Sequence, residues 1–267
     1  MRPSLLTTGV SRVLAVLVAA FLVLPAFIVI PLSLSNSMFL QFPPPGFSTQ
    51  WFSQFFQDPE WMSALWRSLG VAASSAVIAV ALGLLATYGV LRSRGRLARM
   101  SEPLMMVPMM VPVVIFGFGL YLVVLDLGIT PGLWTVVLAH AALALPFVLV
   151  TLGAALRTVD HRLELAARVH GASPPKAFAT VIVPLIAPAI GAALLLAVML
   201  SLDEAVVALF LVGDTTPTLA VQMFSSITYD LNPLVPVAAT VLIAISLVLG
   251  ISAAMLNRFG RRRANAR

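Results

Sequence analysis

Apolar residues in this chain come in six blocks, at about 13–34, 65–91, 103–125, 133–152, 184–212 and 233–256. Each is near or above the ~20 residues that carry a helix across the hydrocarbon core of a bilayer. Backbone N–H and C=O groups in lipid must be satisfied within their own segment, so the blocks are predicted as helices. A transmembrane barrel would show alternating segments of roughly 10 residues, and the sequence has none. The predicted fold class is an all-α membrane protein with six transmembrane helices. The first block is longer than the ~7–15-residue apolar region of a cleaved signal and leads into five more blocks, so it is kept as a span.

Composition agrees with this pattern. The chain of 267 residues is 60% hydrophobic and 10% charged, against about 45–50% and about 25% for soluble domains. Its mean hydropathy is +1.04. Cysteine is absent, which removes disulfides and thiolate metal sites. The net charge of +6 and the pI near 11.0 come with no basic stripe of interleaved aromatics, so no nucleic-acid partner is expected.

The basic residues instead set an orientation. Arg2 and Arg12 precede the first block, and Arg92, Arg94, Arg96 and Arg99 lie after the second. Arg157, Arg162, Arg168 and Lys176 lie after the fourth, and Arg258, Arg261, Arg262, Arg263 and Arg267 follow the sixth. With six spans these regions share one side, which the bias of Lys and Arg makes cytoplasmic, with both termini inside. Only Arg67 falls elsewhere; it can snorkel to headgroups or pair with an acid of a partner. The opposite connections hold Asp58, Glu60, Asp126, Asp214 and Asp230. Within the first of them, the Trp51–Phe56 cluster is expected at the headgroup level. No soluble domain and no G-x-x-x-x-G-K-[ST] phosphate loop is visible, and no internal repeat.

One polar interruption stands out. The connection at about 153–183 contains ELAARVHGASPPKAF, from Glu164 to Phe178. Leu163 to His170 can form one helix, with Leu163, Ala166, Ala167 and His170 near one face. Gly171 suits a C-terminal cap because it tolerates positive φ. Ser173 can cap a second helix with Pro174 at its first position, running through Lys176 towards Pro184. Two short helices joined at Gly171-Ala172-Ser173 would make a compact knob for a soluble partner. Periodicity alone fits an ordinary solvated connection equally well.

The residues here resemble a family. The pattern E-A-A-x-x-x-G, nine residues, then I-x-L-P marks the permease subunits of bacterial ATP-binding-cassette importers. Leu165, Ala166, Ala167, Gly171, Val181, Val183 and Pro184 fall on that spacing. Leu165 stands at the motif's Glu, and Glu164 comes one residue early, about 100° away around a helix. AHAALALPFVLVTLGAALRTVD, from Ala139, resembles the fourth span of spermidine/putrescine-type permeases. SLDEAVVALFLVGDTTPTLAVQMFSSITYDLNP, from Ser201, resembles their fifth span and last outer loop. The likeness covers roughly residues 60 to 256.

The resemblance implies a type I ABC importer permease fold with a cytoplasmic coupling helix in a bacterial inner membrane. Glu164, Leu165, Ala166, Ala167, Gly171, Ala172 and Ser173 would couple it to the ATPase. The implied organisation is an N-terminal helix and outer loop at 1–60, the transport domain at 61–256, and a basic cytoplasmic tail at 257–267. The implied partners are a second, different permease subunit, two ATP-binding subunits and a periplasmic or lipid-anchored solute-binding protein. The chain itself would be no enzyme and hold no cofactor, with ATP hydrolysis in the separate subunit.

Asp203 and Glu204 interrupt an apolar run. A charge within a span costs about +2.5–3.5 kcal/mol on insertion scales and marks a pathway by default. The alternative is a helix ending near Ser201, with the pair in water. In a pathway these carboxylates can hold an ammonium group, and rings such as Phe210, Phe224 and Tyr229 can add cation–π attraction. That chemistry suits a polyamine such as spermidine or putrescine, although an Arg67 lining the path would disfavour a polycation. An opine, an amino-acid derivative, an organophosphonate or a metal complex are the alternatives within the same architecture, and a stand-alone carrier or channel lies outside it. Met105, Met106, Met109 and Met110, interleaved with Pro108 and Pro112, can form a pliable gate, although helix packing is the simpler role. His140 can hydrogen-bond across helices or touch substrate, and packing again is simpler.

Overall fold

A computed structural model describes the backbone of residues 5–93, 103–213, 215–229 and 232–265. Arg2, Arg94, Arg96, Arg99, Asp214, Asp230 and Arg267 lie outside the described residues, as do the side chains of Arg12, Arg258, Arg261, Arg262 and Arg263. The described elements are helical throughout, and one isolated bridge pairs Ser35 with Phe47. Five helices are long and apolar enough to cross a membrane: Val13–Ser33, Pro59–Arg92, Leu133–Arg157, Pro174–Asp203 and Leu234–Ser252.

By contact, the chain divides into two compact units: Met1–Met62 with Ser225–Ile245, and Ser63–Phe224 with Ser246–Arg267. In the first, α1 (Leu5–Ser33) is exposed along residues 13–25, an apolar surface that water alone would not tolerate. The loop behind it is closed by Asn36 N–H to Gly46 O and Ser48 N–H to Leu34 O. It leads to α2 (Gln50–Gln57), where Phe55 is fully buried and meets the rings of Phe56 and Trp61. The expected Trp51–Phe56 anchor is therefore only partly outward: Phe56 is exposed, and Phe55 forms core.

The second unit carries most of α3 (Pro59–Arg92) and the helices that follow it. The third apolar block, expected as one span, is split. A four-residue helix, α4 (Val107–Met110), stops at Val111, and α5 (Val113–Asp126) starts after Pro112. A residue before proline is pushed out of the helical region, and Val111 is extended, with φ −87° and ψ 129°. At 14 residues α5 is a shorter apolar helix than a full span requires.

Helix α6 (Leu133–Arg157) is the centre of this unit and continues through Pro146. Three short elements follow: α7 (His161–Val169), α8 (Pro174–Ala177) and a π-helical turn at Phe178–Ile182. The turn runs directly into α9 (Val183–Asp203), which packs along α6. The fifth apolar block is thus also divided. Glu204 is extended, with ψ 107°, and α10 (Val206–Val212) begins anew beyond it.

Small residues set the spacing. A Cβ on Gly83 would lie 2.6 Å from Val148 Cγ1, so α3 and α6 meet there. A Cβ on Gly117 would lie 3.2 Å from Val207 Cα, which lets α5 approach α10. Ala76, Ala79, Ala144, Val148, Ala193 and Ala197 fill the seam among α3, α6 and α9 with little or no exposure. Such small-residue contacts are how helices associate where lipid offers no hydrophobic drive. Arg67 Nε donates to Pro217 O at 2.9 Å, and Ser68 Oγ accepts from Leu219 N–H at 2.7 Å. Arg67 therefore fastens its helix to the start of α11 (Leu219–Tyr229) by a backbone carbonyl. The last helix, α12, runs Leu234–Asn265.

Candidate functional site

Two places in the second unit gather polar chemistry. The first is the connection after α6. Asp160 caps α7 by accepting the N–H of Arg162 at 2.9 Å, satisfying one of the orphan donors of a helix start. The helix ends on His170, and Gly171 turns to φ +87°. Gly171 N–H reaches Arg168 O and Ala172 N–H reaches Ala167 O, the paired bonds of a Schellman motif. Ser173 is extended and Pro174 opens the next helix, with no side-chain capping bond from Ser173. The helix–turn–helix expected around Gly171 is present.

Its burial is uneven. Leu163 and His170 are exposed, and the buried residue of α7 is Glu164, at 4%. Its Oε2 lies 2.8 Å from an Arg92 guanidinium nitrogen and 3.6 Å from His161 Nδ1, and its Oε1 accepts from Tyr88 Oη–H at 2.8 Å. Arg92 also lies 5.5 Å over the Tyr88 ring, and Phe178 packs on that ring at 4.4 Å. The buried carboxylate is paired with a cation and a hydroxyl, as burial of a charge requires. Glu164 thus ties α7 to the end of α3. Leu165, at 44% exposure, and Val169, at 85%, point away, with Ala166, Gly171 and Ser173 also exposed and Ala172 half-buried.

The second place is a cavity of about 230 Å³. Pro108 and Met109 of α4 and Val113 of α5 border it, with His140, Leu143 and Phe147 of α6 and Leu200, Ser201 and Glu204 around the end of α9. The breaks described above build it. Proline ends α4 at its rim, and the turn at Glu204 brings a half-buried carboxylate to its wall. Glu204 Oε1 accepts the N–H of Val207 at 3.0 Å, which caps α10. A carboxylate has about four lone-pair sites, so capacity remains for a ligand.

The four pathway residues are thus treated unequally. Glu204 lines the cavity, whereas Asp203 is exposed at the last turn of α9 and is absent from the lining. Phe224 lies on α11 and is half-exposed, also outside the lining, and Tyr229 closes that helix at 82% exposure. Phe210 packs against Phe118 at 5.9 Å. Met109 and Met110 are 62% and 80% exposed, so packing within this chain does not explain them. Sequence reading missed Tyr88 and Arg92 as partners of Glu164, because Arg92 counted only as a topology marker. The hydrogen bond across helices open to His140 is made to Ser201, 61 positions away, a partner that the sequence does not name.

Comparison with known proteins places this geometry. A family model described as the binding-protein-dependent transport system inner membrane component matches residues 79–265. The chain is 32% identical over 240 residues to the spermidine/putrescine transport system permease protein PotC of Escherichia coli K12, covering 90% of each. It is 34% identical over 212 residues to the putrescine transport system permease protein PotI of the same strain, covering 77% of this chain and 75% of that one. In fold it resembles a chain of a bacterial ABC transporter involved in import of the acidic polysaccharide alginate, at TM-score 0.68 and 15% identity, covering 97% of this chain and 98% of that one. With this match over most of its length, the chain belongs to the inner-membrane components of binding-protein-dependent transport systems and has the type I ABC importer permease fold.

Proposed function

We propose that this chain is one permease subunit of an ATP-driven importer of small cationic solutes, with a polyamine such as putrescine or spermidine as cargo. The observation that carries the reading is the 90% coverage by a relative named for spermidine and putrescine transport. A carboxylate at the wall of an otherwise mainly apolar cavity supports it, because Glu204 can neutralise an ammonium while apolar walls accept methylenes. Arg67, whose charge would repel a polycation, is absent from the lining of this cavity and donates to Pro217 O. Asp203, Phe224 and Tyr229 belong to the proposed route as exposed positions that a substrate meets outside this cavity.

ATP hydrolysis takes place in two separate ATP-binding subunits, and a solute-binding protein delivers cargo. A second, different permease completes the path. The connection around Gly171 faces the cytoplasm, as do both termini and the basic tail at 257–267. Its exposed Leu165, Ala166 and Val169 dock on the ATPase, while buried Glu164 holds the knob in register with α3. Gly171, Ala172 and Ser173 shape the turn that presents them. Motion of the ATPase dimer then passes through α8 and the π-turn into α9.

The test is to co-express the chain with candidate permease, ATPase and binding-protein partners and to measure uptake of radiolabelled putrescine and spermidine into proteoliposomes. ATP-dependent uptake competed by unlabelled polyamine is expected. Uptake of another solute class with none of polyamine would refute the substrate, and uptake by this chain alone would refute the subunit assignment.

A further inference from the structure

His140 sits on α6 at 2% exposure, with Nδ1 2.7 Å from Ser201 Oγ on α9. Its other ring nitrogen, Nε2, is buried and has no hydrogen-bond partner among the described residues. A buried polar atom left unpaired is costly, and native proteins rarely keep one without a role. His140 borders the 230 Å³ cavity together with Ser201 and Glu204. That space far exceeds the ~10–15 Å³ one water needs. Met109 and Phe147 supply pliable and aromatic walls to the same cavity.

The geometry points to His140 as a substrate-binding and selectivity residue, whose Nε2 accepts an N–H from the substrate's ammonium group while Glu204 supplies the countercharge. The proposal rests on the amine cargo proposed above. The two tautomers of an imidazole do opposite things, and the partner of one nitrogen sets the other. If Nδ1–H donates to Ser201 Oγ, Nε2 is an acceptor. If Ser201 donates, Nε2–H is a donor and suits an anion. The carboxylate on the same wall selects a cation, and a cation that donates N–H bonds requires the first tautomer. Ser201 is then a positioning residue, acting through His140. The site favours primary and secondary ammonium groups, which carry N–H bonds, over quaternary ammonium, which has none.

The test uses the assembled transporter with its binding protein in proteoliposomes and radiolabelled putrescine as the probe. His140→Phe is expected to raise the KM for uptake at least tenfold. His140→Gln, which keeps an acceptor near the Nε2 position, is expected to restore most of the affinity, and His140→Asn, whose amide reaches only to Nδ1, is not. Ser201→Ala is expected to weaken wild type but to add little on top of His140→Phe. If His140→Phe does not assemble, the Gln and Asn variants carry the test, and equal uptake by the two overturns the proposal. Unchanged KM in a well-assembled His140→Phe overturns it while leaving the polyamine reading intact. A wild-type transporter that moves no polyamine overturns both.

Discussion

Removing the Glu164 carboxylate should loosen α7 from the end of α3. Two interactions are lost in Glu164→Ala: the 2.8 Å pair with Arg92 and the 2.8 Å bond from Tyr88 Oη–H. Breaking a fully buried pair costs about 3–5 kcal/mol, because one charge is stranded. Here the Arg92 side chain is 27% exposed and can recover water, so that part falls to about 1–2 kcal/mol. A hydrogen bond to a charged group adds about 1.5–3 kcal/mol, so the Ala variant should lose about 3 kcal/mol of local stability. Glu164→Gln keeps an acceptor for Tyr88 and should lose only the first part. A local loss of 3 kcal/mol corresponds to roughly 100-fold faster amide exchange in that segment. Hydrogen-exchange mass spectrometry of the chain in nanodiscs would read this over residues 161–172, with residues 190–200 of α9 as the internal control. Acceleration below about threefold in the Ala variant would show that Glu164 does not anchor the knob. Equal acceleration in Gln and Ala would show that the Tyr88 bond contributes nothing.

Gly171→Val should weaken capture of the ATPase in a detergent pulldown. Among the described residues, no atom beyond the glycine and its chain neighbours lies within 4 Å of a Cβ there, so its cost comes from φ +87°, at least ~1–2 kcal/mol, and Gly171→Asn should be tolerated better. Gly83→Val should lower the melting temperature in detergent by an overpacking cost of about 1–3 kcal/mol, because its Cβ meets Val148 Cγ1 at 2.6 Å, and Val148→Ala should partly restore it. Glu204→Gln should impair polyamine uptake by tenfold or more with ATPase capture intact, and Asp203→Asn should do less, since Glu204 alone of the two lines the cavity.

Helical class, five of the spans and the turn at Gly171 were legible because each rests on local chemistry. Run length marks a span, and a glycine after an amphipathic turn marks a cap. The broken elements were harder, because hydropathy does not register a break. Val107–Asp126 is almost entirely apolar, and only Pro112, through its effect on Val111, divides it. At Glu204 the sequence leaves open a pathway charge or a helix ending in water; the residue sits at a cavity wall, and α10 starts two residues later. Partnerships were the least legible. Glu164 with Tyr88 is a contact across 76 positions and His140 with Ser201 across 61, and no periodicity encodes such pairs. The one-residue offset of Glu164 from the family pattern was visible in the sequence, and it matters physically. It turns the carboxylate inward to Arg92 and leaves Leu165 outward.

From Pro174 to Asp203 the chain runs as one unbroken rod of 30 residues, including the π-turn. At about 1.5 Å per residue its length is ~45 Å. A tilt of about 5° pivoting near Pro174 would sweep the Asp203 end sideways by ~4 Å, more than a hydrogen-bond length. Small displacements at one end therefore suffice to remake the polar wall at the other, and the wider π-helical turn at Phe178–Ile182 is the natural bearing on which such a swing begins.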